Sequence, residues 1–343
     1  MSNSTPVRVA VVGVGGIATK HLTNLLRMPE AEVVALVDVN LERIPVALEH
    51  ASANQTPPIS PPTIDAFDDV GSMLSAVNPD AVFIAVPPFA HGDAEHQCIE
   101  AQVPIFVEKP VGLDMRTVRT IEQAIAKQNL ITAVGYQARY TETADTAKSL
   151  LADRPVGMAI GTYLGGMPQT PWWRVHAQSG GQVVEQATHI VDLQRYLVGE
   201  IESVHAAAGT RLMTDVPNLD IADVSVATLT FVNGAVGTLL NTCGLNNLAR
   251  EPWDHGVTIV ARDLSLYVWT DGGRIAMPGE VRALKNTHDP MYLSDTTFVR
   301  AVAHNDPSQI RSTYADAALT LRVTLAINGS ARSGQPIRPA DLG

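Results

Sequence analysis

The apolar run Val7–Val12 ends directly in Gly13-Val14-Gly15-Gly16-Ile17-Ala18, and a helix-like stretch comes at once after it. A β-branched strand that breaks into glycines and restarts as a helix leaves few folds open. It reads as the opening of a βαβ unit, in which Gly13 permits a tight turn, Gly15 lets an anion approach the backbone and Ala18 allows close packing of helix on strand. The N–H groups at the start of that helix are suited to a pyrophosphate. The alternation continues to about Tyr136, with strands expected at Val7–Val12, Val33–Val37, Thr63–Phe67, Ala81–Val86, Ile105–Val107 and Ile131–Gly135. Helices are expected at Ile17–Arg27, Asn40–His50, Val70–Val77, Asp93–Ala101 and Asp114–Lys127. All strands but the third are continuous apolar runs, as in a sheet covered on both faces, so the first half is an α/β, doubly wound parallel sheet of Rossmann type. Pro57, Pro58, Pro61 and Pro62 mark a loop before the weak third strand.

After Tyr136 the pattern changes to long strand-like runs at Val156–Leu164, Ile201–Leu212, Ala222–Val232 and Ala235–Thr242, the last two joined by Asn233-Gly234, a dipeptide suited to a type I′ hairpin turn. Helices are expected near Thr141–Ala152, Val183–Leu197, Thr296–Asn305 and Tyr314–Ala331. This is an α+β domain with a mainly antiparallel sheet. A chain of 343 residues also exceeds what one core usually supports. We therefore expect a Rossmann domain over residues 1–136 and an α+β domain over 137–343, with a C-terminal helix able to pack back on the first.

Composition removes several function classes. Thirty-five Asp and Glu against 24 Lys and Arg leave a formal charge of −11, which repels phosphates and anionic lipid, so neither nucleic acid nor a membrane is an expected partner. Cys98 and Cys243 are the only cysteines and form no CxxC or metal-like cluster. The polar stretch Met1–Pro6 has neither the basic nor the apolar region of a signal peptide, and a cytoplasmic protein is expected. An antiparallel sheet with one covered face favours self-association as a homodimer or homotetramer.

Asp38 closes the second strand twenty positions after Ala18. An acid there accepts from adenosine ribose hydroxyls and repels a 2′-phosphate, so NAD is preferred over NADP, with Arg43 the residue that would reverse this by folding back toward the ribose. In a doubly wound sheet, ligands lie outside the carboxyl ends of the strands. The segments there are the glycine turn, Asp38, Val86-Pro87-Pro88 with His91, Glu108-Lys109-Pro110 and Tyr136-Gln137-Ala138-Arg139. Cofactor contacts are accordingly expected from Gly13, Gly15, Gly16, Ile17, Asp38, Val86, Pro87, His91, Glu108, Lys109 and Gln137. Lys109 is the first catalytic candidate, the alternative being a lysine that only pairs with Glu108. Tyr136, Gln137 and Arg139 stand within reach of a substrate, Arg139 equally as a salt-bridge residue.

A second constellation lies beyond Gly180-Gly181. Over Val183–Leu197, at about 100° per residue, Glu185, His189, Asp192 and Tyr196 fall within roughly 60° of one another, opposite an apolar stripe. An imidazole, two carboxylates and a phenol in one column read as a reaction surface rather than a solvated face. A histidine beside carboxylates is suited to take a proton from a hydroxyl while hydride leaves the same carbon. Glu185 and His189 could supply two zinc ligands, but no third appears at motif spacing and no metal is expected.

Taken together, GxGxxA, Asp38, Glu108-Lys109-Pro110 and GGxxxEQATHxxDLxRY around His189 resemble the Gfo/Idh/MocA oxidoreductases, the family of glucose-fructose oxidoreductase and inositol dehydrogenase, over nearly the whole chain. The resemblance implies a nicotinamide-binding domain followed by a large open antiparallel sheet whose outer face forms the oligomer interface, and small-molecule sugar, cyclitol or polyol substrates. It implies that Lys109 contacts substrate and the nicotinamide region, that His189 transfers the proton, and that Trp172-Trp173-Arg174 lines the active site, with Trp173 and Arg174 reaching substrate. Glu185 stands where inositol dehydrogenase-like members have aspartate. The expected activity is NAD-dependent hydride transfer at a secondary alcohol. The alternatives are a net non-redox glycoside-cleaving enzyme that oxidises its sugar transiently, or a non-catalytic NAD-binding regulator.

Overall fold

A computed structural model describes residues 5–246 and 254–342; of the polar leader, residues 1–4 lie outside it. The chain divides into two compact units, the first formed by 1–111, 117–135 and 291–315 and the second by 112–116, 136–290 and 316–343.

The first unit runs β1 (Val7–Val12), α1 (Gly16–Leu26), β2 (Ala31–Val37), α2 (Arg43–Ala53), β3 (Asp65–Phe67), α3 (Val70–Val77), β4 (Ala81–Ile84), α4 (Asp93–Glu100), β5 (Ile105–Val107), α5 (Met115–Gln128) and β6 (Thr132–Val134). Its six strands are all parallel, in the order β3-β2-β1-β4-β5-β6. The order reverses between β1 and β4, the place where a doubly wound sheet opens a ligand crevice. Local chemistry sets the element ends. Asp69 accepts the Ser72 N–H at the start of α3, and Asn78 stops that helix in the left-handed region at φ 48°. The core gathers Val9, Val11, Leu22, Leu25, Phe83 and Phe106, and it is completed from far down the chain by Phe298. The Phe83 and Phe106 rings stack at 4.6 Å, and Phe298 meets both edge-on at 5.4 and 5.7 Å.

The second unit carries α6 (Glu142–Leu151), β7 (Val156–Leu164), α7 (His176–Ser179), α8 (Gln182–Glu185), α9 (Thr188–Val198), β8 (Ile201–Gly209), β9 (Val224–Phe231), β10 (Val236–Thr242), β11 (His255–Ala261), β12 (Leu264–Trp269), β13 (Gly272–Met277) and β14 (Glu280–Lys285). Next come α10 (Pro290–His304), which supplies Phe298 to the first unit, and α11 (Tyr314–Ser333), most of which belongs to the second. The eight strands form one sheet in the order β14-β13-β12-β11-β7-β10-β9-β8, antiparallel throughout except for the β7–β10 pair. Helix α9 lies on its inner face over β7, and Gly161 makes the approach possible, since a Cβ there would meet Gln194 Nε2 at 2.1 Å and Ile190 Cγ2 at 2.4 Å. On the other face, Met158, Val226, Val236 and Val260 are exposed.

Two local expectations need correction. The β9–β10 turn is not type I′, because Gly234 alone is left-handed, at φ 88°. The Gly234 N–H donates to Phe231 O and the Phe231 N–H to Ala235 O, giving a three-residue loop whose last residue is a glycine bulge. The helix expected over Val183–Leu197 is broken. Gln182 O accepts both the Gln186 and the Ala187 N–H, a wide turn that ends α8 before α9 begins. No helix among the described residues is long and apolar enough to cross a membrane.

Candidate active site

In the first unit the glycine turn is a cradle that side chains would fill. Gly13 sits at φ 83°, and a Cβ on it would approach Ala85 O to 2.6 Å. Gly15 and Gly16 face open space, the nearest atom to a Cβ on Gly15 being Arg43 Nη2 at 3.9 Å. Gly15 caps α1, Ile17 is partly exposed in its first turn, and the amides of that turn precede any helical acceptor. The buried Asp38 accepts the Val14 N–H on Oδ2 and the Asn40 N–H on Oδ1, both at 3.0 Å. The acid of β2 is thereby fixed to the turn after β1. Arg43 does fold back, but onto Asp38, with Nη1 3.6 Å from Oδ2. These residues fit a dinucleotide: glycines for the pyrophosphate, a fixed carboxylate for the ribose.

After β4, the stretch through Val86 and Pro87 enters a 3-10 turn at Pro88–Ala90 that leads to His91. The His91 imidazole is held through Nδ1, 2.5 Å from Glu95 Oε1, while Glu95 Oε2 accepts the Gly92 N–H at 2.7 Å. Burial works to raise the Glu95 pKa, yet the His91 charge and hydrogen bond and the Gly92 amide bring it below the usual carboxylate range. His91 Nε2 is buried without a hydrogen-bond partner. After β5, Glu108 is buried, with Oε1 3.1 Å from His21 Nε2 and Oε2 accepting the Lys109 N–H at 3.1 Å. Lys109 itself is half-buried, and Gln137 opens a 3-10 turn at Gln137–Tyr140 in the second unit.

In the second unit, Trp173 is buried in a cluster with Met167, Ile221 and Cys243, and its indole N–H donates to Glu185 Oε2 at 2.7 Å. One tryptophan thus combines core packing with a directed hydrogen bond. Glu185 and His189 are both half-buried, and the Tyr136 ring stands edge-on to His189 at 5.9 Å, its hydroxyl 2.8 Å from Thr188 Oγ1. Burial raises the Tyr136 phenol well above its ordinary pKa, so it stays a hydrogen-bonding group at working pH. Arg174 Nε and Gln186 Oε1, in the residues next to Trp173 and Glu185, are buried polar atoms with no partner.

The remaining two members of the expected column are not a reaction surface. Asp192 is fully buried and takes a bidentate bond from Arg139, Nε to Oδ2 at 2.7 Å and Nη2 to Oδ1 at 2.6 Å, plus the Thr320 hydroxyl at 3.0 Å. Tyr196 packs under two cations, Arg139 at 4.8 Å and Lys148 at 4.0 Å from its ring centre. Arg139 is thus the salt-bridge residue of the two readings. Glu185 ends α8 and His189 lies in α9, and no cluster of three or more potential metal ligands occurs among the described residues. Sequence reasoning passed over His21 and Asp295. Neither sits in a motif, and their partners lie 87 and 274 residues away.

A reversed parallel sheet with a glycine cradle and a tethered acid defines a dinucleotide-binding protein, and the polar groups of the second unit give it chemistry to perform. The comparisons agree. Residues 7–136 match the family model described as an oxidoreductase family, NAD-binding Rossmann fold, and residues 146–266 match the GFO/IDH/MocA C-terminal domain. The chain belongs to the Gfo/Idh/MocA family of NAD-binding oxidoreductases. It is 26% identical to an uncharacterized oxidoreductase, YrbE, of Bacillus subtilis over 68% of this chain and 66% of that one, and 25% identical to the myo-inositol 2-dehydrogenase of Thermotoga maritima over 69% and 68%. The chain thus spans about two thirds of the length of these relatives. The structure of a levoglucosan dehydrogenase in complex with NADH and levoglucosan shares the fold, with a TM-score of 0.82 at 20% identity, covering 97% of this chain and 99% of that one.

Proposed function

We propose that the protein is an NAD-dependent dehydrogenase acting on a secondary alcohol of a sugar, cyclitol or related polyol. The observation that carries this is the Trp173–Glu185 hydrogen bond together with the buried polar atoms of the residue that follows each of the two. Trp173 fixes one carboxylate oxygen, while Arg174 Nε and Gln186 Oε1 are buried and unpaired. A buried polar atom without a partner costs about 1–3 kcal/mol, and a ligand bearing several hydroxyl groups would supply both the donors and the acceptors. The names of the relatives, an inositol dehydrogenase and a levoglucosan dehydrogenase, support the same substrate class.

In this reading the glycine turn and Asp38 hold NAD, with Val86, Pro87, His91, Glu108, Lys109 and Gln137 toward its nicotinamide end. A nicotinamide held there would supply the hydride acceptor for the substrate carbon. His189 takes the hydroxyl proton, Lys109 and Glu185 orient that hydroxyl, and Trp173 and Arg174 contact the substrate. Residues 1–136 serve the cofactor, residues 137–343 the substrate and self-association as a dimer or tetramer through the exposed sheet face. The test is His189→Ala: kcat should fall by about 10²–10⁴ while NADH affinity, read by fluorescence, stays near that of the parent. Equal loss of cofactor binding would make His189 structural instead. A panel of inositols, aldoses and keto-sugars, followed by nicotinamide absorbance, names the substrate.

A further inference from the structure

We propose that His21 is a positioning residue for Lys109, acting through the carboxylate of Glu108. The inference rests on the proposed role of Lys109 and adds to it the device that fixes its backbone.

His21 is completely buried on α1, beside the stacked rings of Phe83 and Phe106, 5.5 Å and 5.1 Å from their centres. Its Nδ1 lies 2.8 Å from Asp295 Oδ1 and its Nε2 3.1 Å from Glu108 Oε1. Asp295, on α10, also accepts from Asn24 Nδ2 at 2.8 Å. The charged groups facing the imidazole are therefore Asp295 and Glu108. Three segments far apart in sequence meet on one ring, and the middle one ends at Lys109.

The Glu108 carboxylate leaves little freedom to the peptide unit of Lys109. One oxygen receives His21, the other the Lys109 N–H at 3.1 Å. Its space is provided by Gly135 at the end of β6, where a Cβ would overlap Glu108 Oε1 at 2.1 Å. Such a carboxylate cannot rotate without losing the bond that orients the next peptide. Stability alone would be served as well by apolar side chains, which often replace a buried ion cluster at no cost. What apolar residues could not do is hold Glu108 by a directed donor.

The test compares two ways of altering the cluster in the full-length enzyme. In Asp295→Asn, the new amide can donate to Nδ1 of a neutral His21, which still donates from Nε2 to Glu108; kcat should remain within about threefold of the parent. The apolar double variant His21→Leu/Asp295→Leu removes the donor, and kcat should fall by about 10- to 100-fold with KM for NAD and NADH affinity little changed. On a Lys109→Met background the same double substitution should cost almost nothing further, because residues acting through one another are not additive. If the double variant keeps full kcat, or if its loss multiplies undiminished with that of Lys109→Met, the proposal is overturned. If the double variant does not fold, Glu108→Ala, which leaves the Lys109 N–H without this acceptor, should give the same loss; unchanged kcat there overturns it equally. A Lys109→Met enzyme with full activity would instead sink the proposed role of Lys109, and this inference with it.

Discussion

Asp38 accepts from two backbone amides, and Arg43 leans on it from 3.6 Å. Removing the carboxylate would release the guanidinium toward whatever replaces it. Asp38→Ser should therefore shift the ratio of kcat/KM for NADP over NAD upward, and an unchanged ratio would count against its place at the ribose. His21 makes a prediction about pH. Burial alone would strip its proton, but the Asp295 charge and hydrogen bond, with Glu108 adding to both, raise its pKa from 6.5 to about 10. Burial raises the Asp295 carboxyl as well, against the pull of His21, so the pair keeps its proton. A pKa raised on folding contributes stability that is complete below 6.5 and lost as pH rises through about 10. The urea midpoint should fall across that window, and the fall should be absent from His21→Leu/Asp295→Leu. Asp38 was legible because motif spacing places it; His21 was not, because a histidine on an apolar helix face reveals nothing of carboxylates 87 and 274 residues away.

At the scale of elements, helical periodicity put Glu185, His189, Asp192 and Tyr196 in one column, of which Asp192 and Tyr196 are occupied by structural contacts. The wide turn at Gln182 separates Glu185 from α9, but His189, Asp192 and Tyr196 still share a face of that helix. Periodicity gives the face and not the partners, and farther along it Asp192 and Tyr196 are taken up by Arg139 and Lys148. Asp192 is bound by Arg139, and the pair ties this helix to the turn after β6. Asp192→Ala would leave a buried guanidinium short of a partner, at an expected cost of about 3–5 kcal/mol in denaturant unfolding. Adding Arg139→Met should recover much of that loss. A double variant as unstable as the single one would show that the pair is not what holds α9. The alternating strands of the second sheet were readable as far as Thr242; β11–β14 were not named, although their pairing extends the sheet from β7 outward.

For the whole molecule, the order of strands and helices in the first half was legible because each strand there is a short apolar run punctuated by turn residues. The division of the chain was less so, since contacts between segments leave no mark on composition. If the exposed face carrying Met158, Val226, Val236 and Val260 is the self-association surface, Val226→Glu should reduce the mass seen by light scattering to that of one chain, with the fold retained. A native mass unchanged by that charge would move the interface elsewhere. The return of α10 bears on how this molecule comes into being. A ribosome that has finished β6 has delivered every strand of the first sheet, yet neither Phe298 for its core nor Asp295 for His21. The nucleotide-binding half must wait, unfinished, while nearly all of the other half is synthesised, and a fragment ending at residue 136 should expose apolar surface and aggregate where residues 1–343 do not.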